Sequence, residues 1–186
     1  ETMRQGPVGA TLIGDHRFDA QLDDISATAR NAALHFAHQT LTALNAISKA
    51  RLSRANQVDA ALLENALRSQ IWTTEVSQDH AWNPINYQGI AGGAVYNVMS
   101  REFAPLPQRL ESATARLELL PDLFRKTRAE LVPARVPTPH AETYAAQNRG
   151  LKSIVTDMIE PHKGELNAGK RARLEAAIAR FDAAVD

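Results

Sequence analysis

The chain has 186 residues, with 21 Lys+Arg against 21 Asp+Glu, no cysteine, and 32 alanines and 19 leucines against 10 aromatic residues. This length suffices for one domain with a sizeable core, and the excess of strong helix formers argues against a large sheet. The zero net charge argues against a dedicated nucleic-acid binder, the lack of cysteine excludes disulfides and thiolate chemistry, and no apolar run is long enough to span a membrane.

The first half of the chain predicts an irregular segment followed by a helical hairpin. Glycines and a proline interrupt residues 1–22, which we expect to be irregular. Apolar residues then recur at spacings of three and four, which predicts helices over 24–51 and 57–78, with Asp24 or Ser26 capping the first. The first helix carries its apolar stripe at Ile25, Ala29, Ala32, Phe36, Thr40, Leu44 and Ile47. The second carries one row at Val58, Leu62, Ala66, Ser69, Thr73 and Val76, and an adjacent row at Leu63, Leu67 and Ile71. Because the connection is short, the two helices should pack antiparallel.

The second half of the chain predicts further helices separated by prolines. An ordered loop over 79–87 should lead into a helix from Gln88 to Phe103, and a leucine stripe predicts another helix from Leu106 to Leu120. Pro121 suits the first turn of a separate helix that ends near residue 131 and pairs Asp122 with Lys126 on its outside. The final helix should bury Leu174, Ala177, Ile178 and Phe181.

These elements predict an all-α fold of about seven packed, mostly antiparallel helices without a significant sheet. We expect a single helical domain over 1–186. Its parts are an irregular N-terminal segment at 1–22, a helical core at 23–131, a proline-rich linker at 132–139 and C-terminal helices at 140–186.

The titratable residues do not form a recognisable catalytic or metal-binding motif. His35 and His38 lie three residues apart on the first long helix, but no carboxylate follows on the same face, so we interpret them as polar surface histidines. Asp15 and His16 are a candidate polar pair in the early turn, although turn chemistry alone explains Asp15 equally well. The glycines at 89, 92 and 93 fit neither a dinucleotide nor a phosphate loop and indicate either close packing or the entry of a helix. We predict no catalytic, cofactor-binding or metal-binding residue in this chain.

Half of the aromatic residues fall within residues 72–103, namely Trp72, Trp82, Tyr87, Tyr96 and Phe103. They indicate either an apolar core or a concave aromatic wall with Asn83, Asn86 and Asn97 as polar handles. The candidate ligand contacts are Trp82, Asn83 and Tyr87, because Pro84 restricts the backbone between two large rings. We predict that these three residues are partly or wholly buried and fix the junction between the hairpin and the later helices, and the role in ligand contact is the alternative.

Several collinear segments together resemble the bacterial domain-of-unknown-function 885 family. The segments are Pro7-x-x-Ala10-Thr11-x-x-Gly14-Asp15 with Asp19, Leu22-Asp23-Asp24-Ile25-Ser26, Trp82-Asn83-Pro84-x-x-Tyr87, Arg101-Glu102-Phe103-Ala104-Pro105, Arg109-Leu110, Arg116-Leu117-x-x-Leu120-Pro121-x-Leu123, and the Pro-Thr-Pro-His-Ala-Glu-Thr stretch at 137–143. Each segment is weak alone, and the shared order over almost the whole chain carries the resemblance.

The resemblance implies a mostly helical protein related to zinc metallopeptidases of the zincin type. Members of that family are several times longer, often carry export signals, and hold their His/Glu metal-binding helix in the C-terminal half. The chain would then be one wall of a substrate cleft, exported to the periplasm or envelope. Its expected partners are the C-terminal half of the same polypeptide, which would supply the zinc, and a peptide substrate, with no nucleic acid involved.

Both ends of the sequence look cut, since it begins Glu1-Thr2-Met3 and stops within a helical pattern before Asp186. We therefore expect a portion of a longer protein. The alternative is a self-standing helical module that binds a partner or a small ligand, and the mass of the natural polypeptide separates the two hypotheses.

Overall fold

A computed structural model describes residues 2–185 and contains, within that range, eight α-helices and no strand, which confirms the all-α prediction. The helices are α1 (Thr2–Gln5), α2 (Pro7–Leu12), α3 (Ala27–Asn45), α4 (Arg54–Trp72), α5 (Pro84–Met99), α6 (Leu106–Glu130), α7 (Thr138–Met158) and α8 (Ala168–Val185). The chain divides into two compact units, one at residues 26–80 and the other made of 1–25 together with 81–186. The first is called the hairpin unit below and the second the main unit. The predicted helical core at 23–131 is thus divided between them.

The hairpin unit consists of α3 and α4, joined through a short 3₁₀ turn at Lys49–Arg51. Ser26 and Ser53 cap the two helices, since each serine hydroxyl accepts a hydrogen bond from the backbone N–H three residues later. Lys49, after the end of α3, pairs with Glu64 in the middle of α4, while His38 pairs with Glu75 beyond its end. The helices are therefore antiparallel, which confirms the predicted hairpin.

The faces that meet within the hairpin differ from those predicted. The buried residues are Ala37, Leu44, Ala60 and Leu67, with Leu41, Leu52 and Ile71 packed against them. Leu44, Leu67 and Ile71 are on the inside, as predicted. Two residues of the predicted α3 stripe, Phe36 and Ile47, are exposed instead. Val58 and Leu62, from the first predicted row of α4, are exposed as well. Because α4 has apolar residues on two faces, periodicity alone does not decide which face meets α3. The small alanines let the other face approach closely.

The main unit packs α5, α6, α7 and α8 around one core. The inner residues of α5 include Ala94, Val95 and Val98, and α6 contributes a row of leucines. The expected inner face of the last helix is confirmed, because Leu174, Ala177, Ile178 and Phe181 are all buried. This core positions the N-terminal segment described below.

Pro121 does not begin a new helix, contrary to the prediction. It lies inside α6, which runs without a break over 25 residues. The buried face continues across the proline from Leu117 and Leu120 to Leu123 and Phe124, and this packing offsets the lost backbone hydrogen bond. The predicted pair of Asp122 and Lys126 is present outside, with 3.0 Å between the charged atoms.

Three predicted boundaries also shift. The segment 1–22 is not irregular over its described residues, because α1, α2 and a 3₁₀ turn at His16–Phe18 lie within it. The helix expected from Gln88 begins at Pro84, where Asn83 is its N-cap. The linker at 132–139 contains a 3₁₀ turn at Pro133–Arg135. In each case a polar cap or a proline starts a turn that the apolar pattern does not reveal.

Candidate functional site

The centre of the main unit is a fully buried arginine, Arg116, on α6. Its guanidinium donates from Nε to the Gln21 carbonyl at 2.9 Å, from Nη1 to the Ala94 carbonyl at 3.0 Å, and from Nη2 to the Pro7 carbonyl at 3.1 Å. Nη2 also reaches the Thr11 hydroxyl at 2.7 Å. The planar fork of five N–H donors thus ties the N-terminal segment and α5 to α6.

The Thr11 hydroxyl connects Arg116 to an aspartate–histidine pair. It donates to Asp19 Oδ1 at 2.6 Å, and Asp19 Oδ2 lies 3.0 Å from His16 Nδ1. The His16 ring stacks on Phe103, with the ring centroids 3.6 Å apart and the planes 10° from parallel. Asp19 is buried, so the positive charge of Arg116 compensates its carboxylate in a region that excludes water.

Two further aspartates of the N-terminal segment have opposite pKa shifts. Burial raises the pKa of Asp23, and the backbone N–H of Val8, which donates to Asp23 Oδ2 at 3.0 Å, opposes that rise only in part. Asp15 is half-buried, and its hydrogen bonds with the Arg17 side chain lower its pKa to about 2. The hydrogen-bond partner of Asp15 is therefore Arg17, whereas His16 pairs with Asp19.

The residues around Arg116 hold the fold together rather than form an open site. Burial lowers the pKa of Arg116, and the carboxylates of Asp19 and Asp23 oppose that change. The guanidinium donates to backbone carbonyls of three separate segments and so fixes these segments against α6. In the sequence, Arg116 stands out only as one residue of the segments that carry the family resemblance. An isolated arginine within a leucine stripe was the signal that could have identified it as a buried anchor.

The three predicted contact residues have different environments. Tyr87 is only 5% exposed and belongs to the buried side of α5. Trp82 is half-buried and meets the ring of His140 edge-on, with the centroids 5.5 Å apart. Asn83, also half-buried, accepts from the backbone N–H of Ile85 at 3.2 Å. Tyr87 is thus part of the core, whereas Trp82 and Asn83 are partly exposed.

The other aromatic and amide residues of that region do not form one concave wall within the main unit. Phe103 is engaged with His16, while Tyr96 is exposed. Asn97 donates to the Val8 carbonyl at 3.2 Å. The glycine cluster matches its predicted role at Gly93, where a Cβ atom would lie 2.8 Å from Val8 Cγ1.

The hairpin unit has an apolar groove of about 410 Å³ between its two helices. Its apolar lining residues are Leu41, Ile71, Trp72 and Val76. Trp72 and Val76 are exposed by 57% and 63%, although both are large and apolar. His38 Nε2 lies 3.0 Å from Glu75 Oε1 at the edge, and Arg68 also lines the groove. A turn of π-helix at Thr73–Ser77 ends α4 beside it, a feature found often at functional sites.

Within residues 2–185, no three side chains of histidine, aspartate or glutamate come close enough to hold a metal ion. His35 is exposed on the surface of α3, and its neighbour His38 is paired with Glu75. Over the same described range, no helix is both long and apolar enough to cross a membrane.

Comparisons with known proteins agree on a family and a fold. The family model described as "Bacterial protein of unknown function (DUF885)" matches residues 7–186. No curated protein matches the chain. A solved structure of a putative lipoprotein of unknown function from Shewanella oneidensis has a TM-score of 0.90 and 24% identity; the match covers 99% of this chain and 33% of that one. The chain therefore spans about a third of that protein, and the likeness establishes the fold alone.

Proposed function

The chain belongs to the DUF885 family, and on that premise we propose that it is the N-terminal helical region of a metallopeptidase-like hydrolase and forms one wall of its substrate cleft. The observation that carries the proposal is the length of this chain compared with the length of a protein of the same fold. The family model covers nearly the whole chain, yet a protein of the same fold is about three times as long. The rest of such a polypeptide has room for a catalytic centre.

The hairpin groove supports a role in holding a substrate. Its apolar lining offers space for a side chain, and Trp72 offers a rigid exposed ring beside it. Arg68 and the pair of His38 with Glu75 supply polar groups at the edge that suit a peptide backbone. Trp82 and Asn83, on the main unit, are a separate candidate contact for a peptide.

Zinc would be held by the polypeptide outside this chain, as the resemblance implies. Export to the periplasm or envelope belongs to the same proposal. The description of the similar structure as a putative lipoprotein supports it.

The test begins with the natural polypeptide isolated whole from its source. Its intact mass should be well above 20.4 kDa, and it should retain zinc and cleave peptides. In that protein, Trp72→Ala should raise the KM for peptide substrates several-fold with little change in kcat, because it removes binding rather than chemistry. Trp82→Ala tests the second contact in the same assay. A whole protein without zinc or peptidase activity would refute the proposal.

The alternative is a self-standing helical module that binds a partner or a small ligand through the hairpin groove. The exposed Trp72 and Val76 favour it, since large apolar residues in a concave surface are typical of binding sites. A natural polypeptide of 20.4 kDa would support this alternative over the hydrolase.

A further inference from the structure

Helix α4 has a second apolar face that no part of residues 2–185 covers. It is formed by Ala55, Val58, Leu62, Ala66 and Ser69, called the outer row here, and all five are exposed. Leu62 is 64% and Val58 43% exposed. At 100° per residue the outer row lies opposite Ala60 and Leu67, the residues of α4 that are buried against α3. The helix thus has one covered and one uncovered apolar face.

The outer row has the composition of a buried surface. Over four turns, the only charged side chain within about 60° of the Leu62 direction is Asp59, at its margin. Large residues at 58 and 62 are flanked by small ones at 55, 66 and 69, a relief that suits ridges-into-grooves packing with another helix. An exposed helix face normally carries several charges, so solvent is not the expected neighbour of this one.

The hairpin unit also needs further packing. Its buried apolar residues are Ala37, Leu44, Ala60 and Leu67, in a unit that spans residues 26–80. Units of this size with so small a core are seldom stable by themselves. Covering Val58 and Leu62 would bury two more large side chains and add to that core.

We propose that the outer row of α4 packs against an amphipathic helix of the polypeptide that lies beyond this chain in the whole protein. The similar structure, about three times as long, has the length of chain that such a contact requires. A peptide substrate does not suit the row, because the convex face offers Ser69 as its one side-chain hydrogen-bonding group near the centre. The row therefore serves assembly, while the groove between α3 and α4 remains open for the substrate. This inference rests on the proposed function.

Single cysteines test the contact, because the chain has no cysteine of its own. Leu62→Cys and Ser69→Cys place a thiol in the outer row, and Gln39→Cys places one on the exposed surface of α3 as a matched control. Each variant is made in the 186-residue chain and in the whole natural protein, with any other cysteines of the latter replaced. The rate of maleimide labelling is then measured in both.

We expect the outer-row thiols to label at least tenfold more slowly in the whole protein than in the 186-residue chain, with the Gln39→Cys thiol labelling equally fast in both. The milder Ser69→Cys keeps the test valid if Leu62→Cys disturbs folding. Equal labelling at all three positions would overturn the inference. Protection that rises with the concentration of the 186-residue chain would indicate a second copy as the partner, and it would also overturn the inference. Protection that requires an added peptide would overturn it as well. Zinc content and peptidase activity are measured separately, so an inactive protein with a protected row refutes only the proposed function.

Discussion

Replacing Arg116 by methionine should destabilise the chain more than any surface substitution. The variant keeps an unbranched side chain of similar length but removes the positive charge and all five N–H donors. The carbonyls of Pro7, Gln21 and Ala94 would each lose the hydrogen bond from the guanidinium, and buried Asp19 would lose the charge that compensates its own.

The magnitude follows from the burial of the cluster. Breaking a buried charge interaction by removing one partner costs about 3–5 kcal/mol. Each lost hydrogen bond from the charged guanidinium costs a further ~1.5–3 kcal/mol, although these contributions are not additive and local rearrangement recovers part of them. We expect a loss of at least about 3 kcal/mol, which for a chain of this size lowers Tm by roughly 6–12 °C. Arg116→Lys should recover only part of it, because a single ammonium group cannot reach carbonyls on three sides.

The assay is urea denaturation followed by circular dichroism, together with limited proteolysis of the N-terminal segment. Cleavage within residues 7–23 should become faster in Arg116→Met, because the arginine ties this segment to α6. The matched control is Arg173→Met, which removes an exposed pair with Glu118 on the same unit and should cost under about 1 kcal/mol. A loss for Arg116→Met as small as that of the control would refute the reasoning.

Three further predictions concern single side chains. Gly93→Ala should lower the free energy of unfolding by about 1–3 kcal/mol, because its Cβ atom would clash with Val8 on α2. Gly89→Ala, which has open space around it, should raise the free energy of unfolding by up to about 1 kcal/mol. Equal shifts of Tm for the two variants would contradict this prediction. NMR titration should give Asp15 a pKa of about 2, and Arg17→Ala should return it toward the ordinary value. Because the folded-state pKa is depressed, this contribution to stability is present above the ordinary pKa and disappears as the pH falls through about 2. Tyr87→Ala should cost about 3 kcal/mol in chemical denaturation, and an unchanged midpoint would return Tyr87 to the candidate ligand contacts.

The sequence predicts the helical content and most of the buried faces, because those depend on periodicity. The final helix is an example, since every expected inner residue is buried. Periodicity is ambiguous where a helix has two apolar faces, and this is why Val58 and Leu62 were placed inside the hairpin. It also overestimates breaks, as at Pro121, because the packing of a long leucine face can outweigh one lost hydrogen bond.

The candidate site was less predictable than the fold. The predicted burial is confirmed, because Trp82 and Asn83 are half-buried and Tyr87 is buried on α5, a helix that begins four residues earlier than the pattern indicated. The groove at Trp72 was missed. Its concave shape depends on how α3 and α4 approach one another, and local sequence does not encode that approach.

The burial of the residues that carry the family resemblance separates architecture from chemistry. Thr11, Asp19 and Arg116 are buried, and their polar atoms form hydrogen bonds with one another and with backbone carbonyls. Their place in the segments that carry the resemblance is therefore explained by how the N-terminal segment is held to α6. Residues used in this way leave no reactive group free for a substrate, and similarity at these positions therefore argues for a shared fold rather than a shared reaction. Evidence for chemistry has to come from exposed positions that the fold does not require, and Trp72 in its groove is such a position. Its replacement should change substrate binding in the whole protein while leaving the stability of the chain within about 0.5 kcal/mol of the wild type.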